Sequence, residues 1–152
     1  MTLTQKEHSL LCDLKSQEEL CIEKYGKYSS EAHDPCLKNL FSSIRTTEES
    51  HLATIQRMMN GEEVEMSSES PSAKAAKTEC PVASVSPEEK SADAYLCQDA
   101  LAMEKHVSSV YNTSVFEFSS PNMRDTLAHI QKEEQNHGEQ IYSYMKINGT
   151  YS

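Results

Sequence analysis

An all-α fold, a four-helix bundle built from two repeated helical hairpins joined by a long crossover linker, is predicted by three observations. The 152-residue chain has 4 Gly and no Trp. Glu outnumbers Asp and long stretches lack Pro, a composition that favours helix over sheet. Sliding the sequence by 86 residues superposes Glu18 on Glu104, Tyr25 on Tyr111, Pro35 on Pro121, Ile44 on Ile130, Glu48 on Glu134, His51 on His137, Ile55 on Ile141 and Met59 on Met145 without a gap. Identities at one fixed offset mark a duplicated unit. In both halves apolar residues recur at alternating three- and four-residue steps, as on one face of a helix.

The elements follow in chain order. Thr4-x-x-Glu7 offers a capping box for the first helix, whose seam is Leu11, Leu14, Glu18, Cys21, Tyr25 and Tyr28. Asp34-Pro35 starts the second: Asp can accept a backbone N–H bond at the N-cap, and Pro at the first helical position lacks only a donor that would be orphaned there. Its seam is Leu37, Phe41, Ile44, Glu48, His51, Ile55 and Met58, and it should end before Asn60-Gly61, residues able to close a helix in the left-handed conformation. Residues 62–86, rich in Ser, Glu, Lys, Ala and Pro, read as a linker long enough to run the length of a helix. Ser86-Pro87-Glu88-Glu89 caps the third helix, with Cys97, Ala100, Glu104, Val107 and Tyr111 inward. Ser120-Pro121 starts the fourth, with Met123, Leu127, Ile130, Glu134, His137, Ile141 and Tyr144 inward, ending before Asn148-Gly149. The expected organisation is one domain over 1–152: repeat one 3–61, linker 62–86, repeat two 87–151.

The net charge of −10, without a dense Lys/Arg block, argues against nucleic-acid and anionic-membrane partners. No apolar run approaches a membrane span, and the N-terminus lacks a signal-peptide core, so a soluble, cytoplasmic protein is expected. Cys12, Cys21, Cys36, Cys80 and Cys97 are odd in number and contain no Cys-x-x-Cys pair. Reduced thiols are therefore expected, with Cys80 an exposed thiol in the linker.

Each seam is interrupted by a carboxylate, and an ionised carboxylate in a core costs several kcal/mol unless paired or bound to a cation. Glu18 lies 16 residues before Asp34 and Glu48 lies 14 after it, so folding the hairpin brings them level. Glu104 and Glu134 straddle Ser120 by the same counts. Glu48 and His51, like Glu134 and His137, are three residues apart and share a helix face. Glu18, Glu48, His51, Glu104, Glu134 and His137 are thus candidate ligands for two divalent cations, whose charge four carboxylates balance. Glu from two helices with Glu-x-x-His from the other two is the pattern of di-iron and di-manganese carboxylate bundles, and O/N donors suit Fe or Mn. A single Glu-x-x-His is weak evidence in a Glu-rich chain, whereas two in repeat register are not.

Tyr25 and Tyr111, seven residues past the first Glu of each repeat, read either as hydrogen-bond donors to the ligands or as core phenols. Cys21, whose counterpart is Val107, reads as packing. His8, His33, His106 and His129 read as surface or local contacts. Glu19, Glu23, Glu49 and Glu133 lie beside the seams and read as solvated, with an extra ligand as the alternative. Tyr142, Tyr144 and Tyr151 suit association or a frayed helix end.

Leu3-Thr4-Gln5-Lys6, Ala32-His33-Asp34-Pro35-Cys36-Leu37, Glu48-Glu49-Ser50-His51 and Ile141-Tyr142-Ser143-Tyr144-Met145-Lys146 resemble the helical-hairpin repeat of spore coat protein F and its ferritin-like relatives. The resemblance spans all but the linker. It implies a ferritin-like bundle from an endospore-forming bacterium, placed in the spore coat or the cytoplasm. The wider group of rubrerythrins, manganese catalases and ferritins has a ligand pattern that falls on the same six residues. Without Cys-x-x-Cys pairs the chain has no rubredoxin module, and a peroxidase cycle would need an external electron donor. Three functions remain open: a di-metal oxidoreductase acting on O₂ or peroxide, a structural coat component joined to other coat proteins or to copies of itself, and a metal-sequestering module.

Overall fold

The computed structural model describes residues 1–66 and 79–151. Four helices appear in the predicted order, α1 (Gln5–Glu31), α2 (Pro35–Met59), α3 (Pro87–Val115) and α4 (Pro121–Ile147). Helix α1 packs on α2 and α3 packs on α4 within the hairpins, while α1–α3 and α2–α4 contacts join the two hairpins.

Local chemistry sets the ends. Thr4 and Glu7 form the reciprocal capping box, and the Asp34, Ser86 and Ser120 side chains accept from Cys36 N, Glu89 N and Met123 N ahead of Pro35, Pro87 and Pro121. Helices α2 and α4 close at Asn60 and Asn148, after which Gly61 and Gly149 turn the chain at φ 78° and 65°. Only glycine enters that region without steric cost. The predicted seams are the core: Leu11, Leu14, Leu37, Phe41, Ile55, Leu127, Ile130 and Ile141 are almost completely buried.

Polar bonds fasten the two ends of the bundle. At one end Glu7 does more than cap, because its Oε2 accepts from Thr4 N at 2.8 Å while Oε1 accepts from Ser119 N at 2.9 Å and Ser119 Oγ at 3.0 Å. At the other, the Asp93 carboxylate accepts from His33 N at 2.8 Å and Asp34 N at 3.0 Å, and Tyr144 donates to Asp34 at 2.6 Å. Tyr144 is therefore fixed in the core rather than on a frayed end.

The backbone bonds from Ser119 and Thr4 hold the Glu7 carboxyl at about 2. A depressed folded-state pKa stabilises above the ordinary carboxylate value and is lost as pH falls toward the folded one. Glu7→Gln is expected to cost about 1–2 kcal/mol near neutrality, the scale of charge-assisted bonds to a partly screened group. Urea unfolding should show that difference vanishing as pH falls toward about 2.

The described ends of the crossover lie at opposite ends of α4: Val64 O accepts from Thr126 Oγ1 near its start, and Ala83 N donates to Asn148 Oδ1 at its finish. The described flanks of the crossover therefore sit at opposite ends of the bundle; residues 67–78 of the predicted linker, Pro71 among them, lie outside the described residues.

The expectation of five reduced cysteines is corrected. Cys80 is bonded to Cys36 at the start of α2, with Cα atoms 5.9 Å apart, while Cys12, Cys21 and Cys97 are free. The pairing joins residues 44 positions apart, and only the path of the crossover past the start of α2 brings them together. Among the described residues no helix is long and apolar enough to cross a membrane.

Candidate metal centre

All six predicted ligand residues meet at mid-height inside the bundle, each at most 5% exposed. One comes from α1, one from α3 and a Glu-x-x-His pair from each of α2 and α4. Two groups of four, Glu18–Glu48–His51–Glu134 and Glu48–Glu104–Glu134–His137, each bring their ligand atoms within 4.8 Å of one another.

The shared members show how the two groups interlock. Glu48 Oε2 lies 3.1 Å from His51 Nδ1 and its Oε1 lies 3.1 Å from His137 Nδ1. Glu134 likewise extends Oε1 to His51 Nδ1 at 3.2 Å and Oε2 to His137 Nδ1 at 3.4 Å. Glu18 approaches His51 alone, at 3.8 Å, and Glu104 approaches His137 alone, at 3.5 Å. Glu48 and Glu134 therefore each face both imidazoles, with Glu18 and Glu104 at the two ends.

Hydrogen bonding does not exhaust this cluster. Each Nδ1 faces three carboxylate oxygens and can donate one proton. Among the described residues, Glu18 Oε2, Glu104 Oε2 and Glu134 Oε2 are buried without a hydrogen-bond partner. Orphaned buried lone pairs cost about 1–3 kcal/mol each, and three converging carboxylates are the donor set a hard or borderline divalent cation takes. The buried Glu/His cluster has the donor chemistry to hold metal.

Protons otherwise neutralise the site. Burial, then the Glu48 charge, pushes Glu18 well up, and burial with the Glu134 charge raises Glu104 to about 7. Burial also opposes ionisation of Glu48 and Glu134, but hydrogen bonds outweigh it: those from His137 and His51 hold Glu48 at about 2, and those from Glu104, His137 and His51 hold Glu134 low. Both imidazoles are raised despite burial, because carboxylates surround them. Protons and a bound cation would compete for the same lone pairs, so cation affinity would drop as pH is lowered.

Tyr25 and Tyr111 cross the bundle. Tyr25 of α1 donates to Glu104 of α3, and Tyr111 of α3 donates to Glu18 of α1. Burial raises both phenols well above their ordinary range, so each stays a donor and orients an end carboxylate. Both are also fully buried core residues. Cys21 packs in the core, and burial keeps it a thiol.

Glu133 departs from its expected solvated position. It is 8% exposed, and its Oε1 lies 2.9 Å from His129 Nε2 and 3.6 Å from His51 Nε2. His129 and Glu133 therefore brace the far side of the His51 ring, an arrangement that sets tautomer and orientation in metal-binding imidazoles. The repeat could not expose this contact because Glu133 corresponds to Thr47. Glu19, Glu23 and Glu49 are exposed as expected, and His33 makes its local contact with Asp93.

The Coat F domain profile matches residues 92–152. The matched segment is less than half of the chain. It contains Glu104, Glu134 and His137, half of the six clustered residues, together with Tyr111. A crystal structure of a two-domain protein with DJ-1/ThiJ/PfpI-like and ferritin-like domains, from Anabaena variabilis, superposes with TM-score 0.73 at 15% identity. The match covers 99% of this chain and 39% of that one, so the two hairpins together adopt a ferritin-like four-helix fold. Comparison with curated proteins finds no match.

Proposed function

We propose that this protein binds two Fe or Mn ions at Glu18, Glu48, His51, Glu104, Glu134 and His137, and that the loaded site reacts with O₂ or peroxide during sporulation, in the spore coat or the cytoplasm. In this reading residues 1–152 act as one bundle domain, alone or joined to copies of itself and to other coat proteins. The observation that carries it is the interlocked pair of four-ligand groups sharing Glu48 and Glu134. Each bridge offers one oxygen to either side, which a single-cation site does not require.

Bound ions of this kind supply one-electron redox chemistry and Lewis acidity. The chain's own residues would hold and orient such ions: Glu48 and Glu134, which face both imidazoles, would be shared, Glu18 and Glu104 would each serve one side, and Tyr25 and Tyr111 donate to those end carboxylates. The apolar residues around them exclude bulk water, which strengthens every electrostatic contact inside.

The Coat F profile match supports a second reading, a structural coat component in which cations only stabilise the bundle. Metal-limited reconstitution separates the two. About two Fe or Mn per chain are expected, matching the two ligand groups, with absorbance changes on adding O₂ or peroxide. Metal uptake without any such response would favour the structural reading, and the lack of stoichiometric metal would sink the dinuclear one.

A further inference from the structure

The hairpins are alike in ligands but not in what covers them. Between α3 and α4 lies an open groove of about 630 Å³ whose floor reaches Glu104 and Glu134 and whose rim includes Tyr142 and Tyr151. That is the size of pockets that hold organic ligands, far larger than O₂ or peroxide requires.

Gly138 lines this groove, next to His137 in the middle of α4. A helix interior disfavours glycine, and no close approach demands one here: an added Cβ would meet only Leu101 Cδ1, at an ordinary 3.6 Å. The missing side chain leaves space instead. At the 86-residue offset Gly138 corresponds to Leu52 and Ser108, also in the groove, to Ile22; both counterparts are half-buried. On that hairpin Arg45 also lies over Gly26, 3.2 Å from where a Cβ would stand.

The chemistry of the walls selects the occupant. Gln131 and Asn112 supply neutral amides, and the rim carries one cation, Lys105, against one anion, Glu139. Lys105 is offset by Glu139, so the lining offers no net positive charge to hold an anion. Tyr142 and Tyr151 meet edge to face, with ring centroids 4.7 Å apart, presenting an aromatic border.

We propose that the α3–α4 groove is a binding pocket for an uncharged, hydroxyl-bearing aromatic of phenol type, with Gly138 setting its width. The pocket rests on the dinuclear reading only for what it leads to. An aromatic ring lies along the Gly138–Leu101 surface while its hydroxyl donates to an amide oxygen or to the carboxylate floor, contacts that a carboxylate analogue, with no proton to donate, loses.

Ligand-observed NMR titration of the metal-free full chain with p-cresol tests this, with benzoate as the anionic control. Binding in the millimolar range is expected, at least about tenfold tighter for p-cresol than for benzoate. Gly138→Leu and Ser108→Ile, which copy the first hairpin, should each weaken p-cresol about tenfold while circular dichroism and metal uptake stay at wild-type levels. Ser108→Ile keeps the test alive if Gly138→Leu fails to fold. Absence of p-cresol binding, equal binding of benzoate, or binding unchanged in the folded variants would overturn the pocket. Metal content is measured separately: p-cresol binding without metal uptake removes the dinuclear reading and leaves the pocket, and the reverse result removes the pocket alone.

Discussion

On the proposed dinuclear reading, Glu134→Ala is expected to lose both metal ions, whereas Glu18→Ala should weaken chiefly the one beside His51. The contrast follows from which oxygens face which imidazole. Glu134 presents Oε1 to His51 and Oε2 to His137, so its truncation takes a donor from each position at once. Glu18 faces His51 only. Loss of even an outer partner of a ligand typically costs about 10–100-fold in affinity; loss of a bridge should exceed roughly 100-fold at both positions. Glu134→Gln keeps the volume and separates lost ligation from lost packing. Metal analysis after reconstitution, with circular dichroism to confirm the helices, reads the result, and full metal content in Glu134→Ala would remove the bridging assignment.

Cys36→Ser should give the largest loss of fold stability among the changes considered. The Cys36–Cys80 bond ties the start of α2 to the crossover and spans 44 residues. Constraining a loop of that length in the unfolded chain is worth about 4 kcal/mol on the chain-entropy account, with measured values commonly about 2–4. Against a typical domain stability of about 5–15 kcal/mol that is a large share. Denaturant unfolding of the oxidised chain, the dithiothreitol-reduced chain and Cys36→Ser is expected to place the last two together, well below the first. Three equal midpoints would show that the bond contributes nothing.

Much of the fold was legible because its signals are local or periodic. Asp34-Pro35 and Ser120-Pro121 start helices in the structure, and Gly61 and Gly149 follow the helix ends with positive φ. The alternating seams became the buried faces. Six side chains of the cluster were legible for the same reason: equal residue counts from the hairpin turns place Glu18, Glu48, Glu104 and Glu134 level, and a three-residue step places each His beside its Glu.

Other contacts carry no such signal. Glu133 looked like one more solvated acid, since Thr47 occupies its repeat counterpart, and only the packing of α4 against α2 sets it beside His51. Glu7 was read as a cap, yet its second oxygen holds the α3–α4 turn, 112 residues away. Tyr25 and Tyr111 were recognisable as inward phenols, but the exchange of partners across the bundle depends on α1 lying against α3.

The sequence by itself determined the helices, their inward faces and the levels of the buried charges, because backbone periodicity and turn chemistry act over a few residues. Only the tertiary structure decided which carboxylates face both imidazoles, what lies beside His51, where Cys80 is tied and which hairpin stays open at Gly138. Those outcomes depend on the rotation and spacing of packed helices, where side chains distant in sequence compete for the same few ångströms.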